Sequence, residues 1–213
     1  NLQYIYYDGA KWNKETVDTT GVMGWYTSIA LDSNDKPHIA YYYVSGADLK
    51  YAHKNGNWQK ETVDSGGSGY YTSLVLDTND NPYISYRDET NDDLKFAHHD
   101  GNQWKIKVID SVGNTGYHTS IALDGLERPL ISYYSITDTD LKYAYLDENE
   151  WHLETIDSDG AVGQYMSNAI DSYGRTHISY YSSTGSELKY AVYDYKAPIS
   201  RVDQISPYWG QTS

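Results

Sequence analysis

The chain has 213 residues, with 30 acidic against 16 basic side chains, a net charge of −14 and no cysteine. Such a negative field repels phosphate backbones, so nucleic acid is excluded as an expected partner. The lack of cysteine excludes disulfides and thiolate metal sites. No apolar run approaches the ~18 residues of a membrane helix, so no membrane span is predicted.

The amino-terminal residues resemble the middle of a repeating unit. Residues 2–7 and 12–17 are predicted to be the third and fourth β-strands of such a unit, so we expect the natural protein to extend further. The first full unit then supplies four strands, separated by turn sequences such as SNDKP and KNGN, at residues 26–31, 38–43, 49–53 and 58–63.

The same unit recurs along the whole chain. The serine of YTSIALD and its variants recurs at intervals of 45, 47 and 47 residues, at Ser28, Ser73, Ser120 and Ser167. The motif DLKYA, or a close variant, begins at Asp48, Asp93, Asp140 and Glu187. The repeat divides the chain approximately into residues 1–24, 25–69, 70–116, 117–163 and 164–213, and the final SPYWGQTS begins another unit.

Four short strands in a unit of ~45 residues are typical of a β-propeller blade. Small residues such as Ala40 and Ala52 are predicted on one face of each blade, with Ile39, Tyr41 and Tyr51 on the other, so that neighbours interlock. The sequence therefore predicts one all-β domain over residues 1–213. It is a β-propeller of four-stranded antiparallel blades, four complete and an incomplete fifth shared by the termini.

Loops entering the first strands and loops joining the second and third strands are predicted to share one rim. They carry the candidate ligand-binding residues, which are Trp25, Tyr26, Tyr70, Tyr71, Arg87, Asp88, Asp93, Tyr117, His118, Asp140 and Tyr165. Aromatic rings stack on the C–H faces of sugars, and polar groups bond their hydroxyls. The same residues could instead plug the channel and shape turns, and this alternative stays open.

Other recurring polar residues have structural interpretations. One aspartate follows each aligned serine by four positions, at Asp32, Asp77, Asp124 and Asp171, and either satisfies turn donors or holds calcium. No other cofactor is expected. The repeated lysines of DLKYA are predicted to keep their heads in water. No HExxH or GxSxG motif is present. We therefore predict no catalytic residue and no enzyme activity.

The string ALDSNDKPHIAYY, followed by DLKYA and NWQKETVD, resembles tandem repeats of secreted bacterial and archaeal proteins. Those repeats look like sialidase-like or fucose-lectin-like propellers, which implies an extracellular or cell-surface location. The sialidase Asp box, SxDxGxxW, is absent from every unit. Fucose-binding lectins of this shape use an arginine, an acid and an aromatic between blades, and Arg87 is the one second-strand arginine that matches.

Three functional hypotheses follow. The first is a non-enzymatic recognition module for a glycan or cell-surface polymer. The second is a structural or adhesive surface repeat that contacts protein or a second copy of itself through the incomplete blade. The third is a glycoside hydrolase, which needs only two carboxylates at a set separation.

Overall fold

A computed structural model describes residues 1–194 and 201–204, the last four by their backbone alone. An amino-terminal hairpin consists of β1 (Leu2–Tyr7) and β2 (Trp12–Asp18). Blade 1 follows with β3 (Met23–Leu31), β4 (Pro37–Tyr43), β5 (Asp48–Asn55) and β6 (Asn57–Asp64). Blade 2 contains β7 (Ser68–Leu76), β8 (Pro82–Asp88), β9 (Asp93–His99) and β10 (Trp104–Asp110).

The last two blades repeat this pattern. Blade 3 contains β11 (Tyr117–Leu123), β12 (Pro129–Ser135), β13 (Asp140–Asp147) and β14 (Glu150–Asp157). Blade 4 contains β15 (Val162–Ile170), β16 (Thr176–Ser182), β17 (Glu187–Tyr193) and β18 (Arg201–Gln204). No helix within these described ranges is long and apolar enough to cross a lipid bilayer.

Every blade is an antiparallel sheet whose strands pair in chain order. This confirms the predicted β-propeller, with four complete blades and the two-stranded hairpin as part of an incomplete fifth. The predicted carboxyl-terminal contribution to that blade, the segment SPYWGQTS, lies outside the described residues. We call the end of the propeller where the first strands begin the mouth rim, and the other end the opposite rim.

Each face of blade 1 carries both small and large side chains. The antiparallel register sets Ala52 opposite Ile39 and Tyr51 opposite Ala40, so each small side chain lies beside a large one. The predicted division into a small face and a large face is therefore wrong. Ala40 and Tyr51 pack toward Ile84 of blade 2, whereas Ile39 and Ala52 pack toward the hairpin.

A buried tyrosine–aspartate hydrogen bond joins each blade to the one before it. The tyrosine hydroxyl of a second strand donates to the aspartate that ends the preceding fourth strand, at 2.7 to 2.8 Å. The pairs are Tyr41–Asp18, Tyr86–Asp64, Tyr133–Asp110 and Tyr180–Asp157. Two repeated lysines join these pairs, Lys95 at 2.6 Å from Asp64 and Lys189 at 3.0 Å from Asp157. Their heads are therefore in ion pairs, not free in water as predicted.

Glycines at the second position of two first strands allow close contact between blades. A Cβ at Gly69 would lie 2.9 Å from the Leu49 Cα, and one at Gly163 would lie 2.8 Å from the Leu141 Cα. Both glycines also have positive φ, at 112° and 100°. Each first strand therefore begins against the third strand of the preceding blade, at the height of the mouth rim.

Candidate functional site

Four aromatic side chains at the mouth rim share an unusual backbone conformation. Tyr26, Tyr71, His118 and Tyr165 have φ values of 50°, 52°, 53° and 52°. Each lies where the register between the first and second strands shifts, as in a β-bulge. Bulky residues rarely adopt left-handed φ, at a cost of about 1–3 kcal/mol each, and such positions cluster at functional sites.

The bulges bring these four rings together, and we call them the aromatic arc. The ring centroids are 4.7 Å apart from Tyr26 to Tyr71, 4.6 Å from Tyr71 to His118 and 4.3 Å from His118 to Tyr165. The arc lines a cavity of about 240 Å³, together with Thr27, Thr72, Thr119 and Met166. This cavity therefore combines ring faces with hydroxyl groups and one imidazole.

The aligned serines hold the inner strands in place behind the arc. Ser28, Ser73 and Ser120 each accept a backbone N–H from the first strand of the next blade, at 3.0 to 3.1 Å. Thr119 adds a bond across the same boundary, because its hydroxyl donates to the Tyr71 carbonyl at 3.2 Å. The rings are therefore mounted on strands that are bonded to each other around the channel.

Two members of the arc are uncharged at neutral pH. Burial, and then the neighbouring Tyr26, raises the pKa of Tyr71 to about 12. Burial lowers the pKa of His118 below its ordinary value. Tyr165 is the most accessible ring, with 71% of its surface exposed. The arrangement offers neutral donors, acceptors and ring faces, which suits an uncharged polar ligand with C–H faces.

A second set of predicted rings lies just outside the arc. Tyr70 contacts the Tyr26 ring at 5.3 Å and the Tyr42 ring at 4.4 Å, and the Tyr42 hydroxyl donates to the Tyr70 hydroxyl at 3.2 Å. Trp25 is 53% exposed and meets Tyr26 edge-on at 6.5 Å. These rings extend the aromatic surface from the cavity toward blades 1 and 2.

Arg87 lies between blades 2 and 3. Its guanidinium lies 4.2 Å from the centre of the Tyr117 ring, and Nη2 donates to Asn114 at 3.0 Å. It also forms ion pairs with Glu89 and Asp92. Only 1% of Arg87 is exposed. The structure thus brings together an arginine, an acid and an aromatic, as the fucose-lectin resemblance implies, but encloses the arginine between the blades.

The three predicted aspartates are not part of the cavity. Asp88 is 2% exposed and accepts hydrogen bonds from the Thr90 and Asn91 backbone, the Asn91 side chain and Lys95. Its carboxylate therefore shapes the turn after β8. Asp93 and Asp140 begin β9 and β13, and burial is the main cause that raises the pKa of each.

The aspartates weighed as calcium ligands lie in turns on the opposite rim. One oxygen of each accepts two backbone N–H bonds of its own turn, as Asp32 does from Asn34 and Lys36 at 2.8 Å each. Asp171 is bound likewise by Tyr173 and Arg175 at 2.9 Å. Among the described residues, no group of three or more histidines and carboxylates could hold a metal ion.

The sequence analysis did not predict the threonines of the cavity. It also did not predict the left-handed backbone that directs the arc side chains into the cavity. The available signal was the repeated order of aromatic, threonine and serine after a glycine, as in GYYTS and GYHTS. Because Thr27, Thr72 and Thr119 directly precede the aligned serines, the same repeat could have placed them beside the rings.

No protein-family model matches this chain, and no curated protein matches it significantly. Solved structures show the fold. A protein of unknown function from Dyadobacter fermentans aligns with a TM-score of 0.64 at 10% identity, over 84% of this chain and 68% of that one. These similarities show the propeller architecture, and a shared architecture does not by itself imply a shared activity.

Two galactanases share the same architecture. The exo-β-1,3-galactanase of Clostridium thermocellum aligns with a TM-score of 0.53 at 11% identity, over 86% of this chain and 48% of that one. The exo-β-1,3-galactanase of Phanerochaete chrysosporium, solved with β-1,3-galactotriose, has a TM-score of 0.55 at 13% identity, over 97% and 55%. This chain therefore spans about half the length of either galactanase.

These neighbours correct the prediction that the chain is not an enzyme. Besides the two galactanases, a bifunctional GH43-CE protein of Bacteroides eggerthii aligns with a TM-score of 0.52 at 12% identity, over 83% of this chain and 27% of that one. The absence of familiar catalytic motifs does not exclude an enzyme, because two carboxylates spread over a propeller would leave no local signature.

Proposed function

We propose that this protein binds carbohydrate at the aromatic arc on its mouth rim. The observation that carries the proposal is the convergence of Tyr26, Tyr71, His118 and Tyr165 on one cavity, each through a left-handed backbone. A channel plug would need bulky side chains but no costly bulge in every blade. Sugars suit the lining, because rings stack on their C–H faces while the exposed Thr27 hydroxyl and the His118 imidazole can bond their hydroxyls.

The names of the structural neighbours support the same class of ligand. Three of them are named as galactanases or as a GH43-CE protein, and one was solved with β-1,3-galactotriose. The repeat resemblance supports an extracellular or cell-surface location, where glycans and surface polymers are the accessible partners. A ring contributes about 1 kcal/mol, so a sugar stacked on one ring of the arc binds weakly.

A glycan array followed by calorimetry with the best ligand tests this proposal. Tyr71→Ala should weaken binding about fivefold, because it removes one stacking ring of about 1 kcal/mol. Tyr173→Ala is the matched control, since Tyr173 is 81% exposed in a turn on the opposite rim. Equal affinities of wild type and Tyr71→Ala, or an equal loss in both variants, would contradict the assignment of the site.

Glycoside hydrolysis is the second candidate function, favoured by the names of the three neighbours. The chain should then release reducing ends from a bound oligosaccharide, and β-1,3-galactotriose is the first substrate to test. Hydrolysis that Tyr71→Ala slows would place the reaction at the mouth rim. No release from any ligand that the protein binds would leave carbohydrate binding as the function.

A further inference from the structure

The boundary between the amino-terminal hairpin and blade 1 contains an internal ammonium site. Lys54 Nζ lies 2.5 and 2.7 Å from the two carboxylate oxygens of Glu15. The Trp58 indole N–H donates to the same carboxylate at 3.0 Å, and Tyr4 meets the Trp58 ring edge-on at 5.6 Å. A carboxylate beside two rings thus holds a primary ammonium group of the chain itself.

The boundary between blades 1 and 2 repeats the carboxylate and the rings without the lysine. The Trp104 indole N–H donates to Glu61 Oε2 at 2.9 Å, and Tyr51 meets the Trp104 ring edge-on at 5.3 Å. His99 stands at the position of Lys54 in the repeat, and its ring lies against Trp104 at 5.4 Å. A cavity of about 210 Å³ opens there on the opposite rim.

Of the two carboxylates that line this cavity, Glu61 accepts fewer hydrogen bonds. Asp80 also lines it, but both Asp80 oxygens accept bonds from Ser33, at 2.8 Å from its N–H and 2.7 Å from its hydroxyl. Glu61 Oε1 accepts no hydrogen bond in the described part of the chain. The nearby His38 is bonded to Tyr51, and burial, followed by the repulsion of His53, lowers its pKa.

The next boundary in the ring cannot form the same site. The fourth strand of blade 2 has Lys107 at the position that Glu61 holds in blade 1. Lys107 pairs with Phe96 on the third strand, as Glu61 pairs with Tyr51. In the adjacent turn, Arg128 forms ion pairs with Asp124 and Asp147. Among these three boundaries, a carboxylate, two rings and an open cavity therefore occur together at the boundary of blades 1 and 2.

We propose that this cavity binds an amino sugar, with the ligand's ammonium group on Glu61 and its ring against Trp104. The ammonium takes the place that Lys54 fills at the preceding boundary. A cavity of about 210 Å³ holds a monosaccharide-sized ligand, and aromatic walls suit the C–H faces of a sugar as well as its cation. This site is separate from the aromatic arc and lies on the other rim.

Calorimetric or NMR titration of the full chain at neutral pH tests the proposal, with D-glucosamine, D-glucose and n-butylamine as probes. Glucosamine should bind about two- to fivefold more tightly than glucose, the range of one partly exposed ion pair. Glu61→Gln should abolish that preference. His99→Lys introduces the lysine that the preceding boundary has at this position. Its ammonium group should pair with Glu61 and so prevent glucosamine from binding. Glu150→Gln, on the fourth strand of blade 3, is the control and should change nothing.

Three results would overturn the inference. One is equal affinity for glucosamine and glucose, and another is an unchanged preference in Glu61→Gln. Equal binding of n-butylamine and glucosamine would also overturn it, because the cavity would then recognise any small amine. Tyr71→Ala should retain full glucosamine binding, so a failure of the mouth-rim proposal and a failure of this one give different outcomes.

Discussion

The Tyr133 hydroxyl donates a 2.7 Å hydrogen bond to Asp110 Oδ2, across the boundary between blades 3 and 2. Both residues are buried, at 0% and 3% exposed, and the same pairing recurs at every described blade boundary. Because a buried carboxylate without its donor is costly, this bond makes each blade depend on its neighbour.

Tyr133→Phe should therefore lower the free energy of unfolding by about 1.5–3 kcal/mol, the range for a hydrogen bond to a charged group. Tyr134→Phe is the matched control, since Tyr134 is also buried but its hydroxyl makes no side-chain hydrogen bond among the described residues. Urea denaturation of both variants measures the difference. Equal stability of the two would show that the repeated pairing contributes no more than ring packing.

Stability should fall in acid because three of the paired aspartates, Asp18, Asp64 and Asp157, have lowered pKa values in the folded state. Burial alone would raise the pKa of Asp18, but hydrogen bonds from Tyr41, Thr20 and Lys60 lower it from 3.8 to about 2. A lowered carboxyl pKa stabilises the fold above the unfolded value and loses that contribution as pH falls through the folded one. The loss should lie between pH 3.8 and about 2 for this residue.

Denaturation of the wild type and of Asp18→Asn at several acidic pH values checks this dependence. The variant should be less stable than the wild type at pH 5, and the gap should close as the wild-type carboxylate is protonated. Asp93 and Asp140 act in the opposite direction, since their pKa values are raised in the folded state. A gap that stays constant down to about pH 2 would contradict the role assigned to Asp18.

The amino-terminal hairpin should behave as part of the propeller and not as a tail. Leu2 and Val17 are 6% and 4% exposed and pack on Met23, Ile39 and Tyr41 of blade 1. Deletion of residues 1–18 should lower the melting temperature and cause association, because it uncovers that face. Leu2→Ala alone should cost about 2–5 kcal/mol. A truncated chain that melts unchanged and stays monomeric would disprove this integration.

A substitution at Gly163 tests how closely β15 packs against the third strand of blade 3. Gly163→Ala should destabilise the fold by more than about 1 kcal/mol, because φ is positive and the new Cβ would lie 2.8 Å from the Leu141 Cα. Gly125→Ala is the control, since a Cβ there meets nothing within 4 Å. Thermal melts of both variants are sufficient. Similar melting temperatures of the two variants would show that β15 moves to accommodate the new methyl group without loss of stability.

The repeat made the fold predictable from the sequence. The backbone conformation of the arc and the hydrogen bonds between blades were not predictable. Strand positions follow from turn sequences between β-branched and aromatic runs, so residues 2–7 were placed correctly as β1. The left-handed backbone of Tyr26 and Tyr71 was not predicted, because an aromatic residue adopts that conformation only when the surrounding structure imposes it. The bond from Tyr41 to Asp18 was missed because it joins different sheets and depends on how blades are stacked.

A crystal structure of the protein soaked with its strongest glycan-array ligand tests the central claim most directly. We predict a sugar ring stacked on at least one member of the aromatic arc, with its hydroxyls bonded to Thr27 or His118 of the same cavity. Sugar bound only along the outer strands, or only at the opposite rim, would contradict the assignment of the carbohydrate site to the mouth of the propeller.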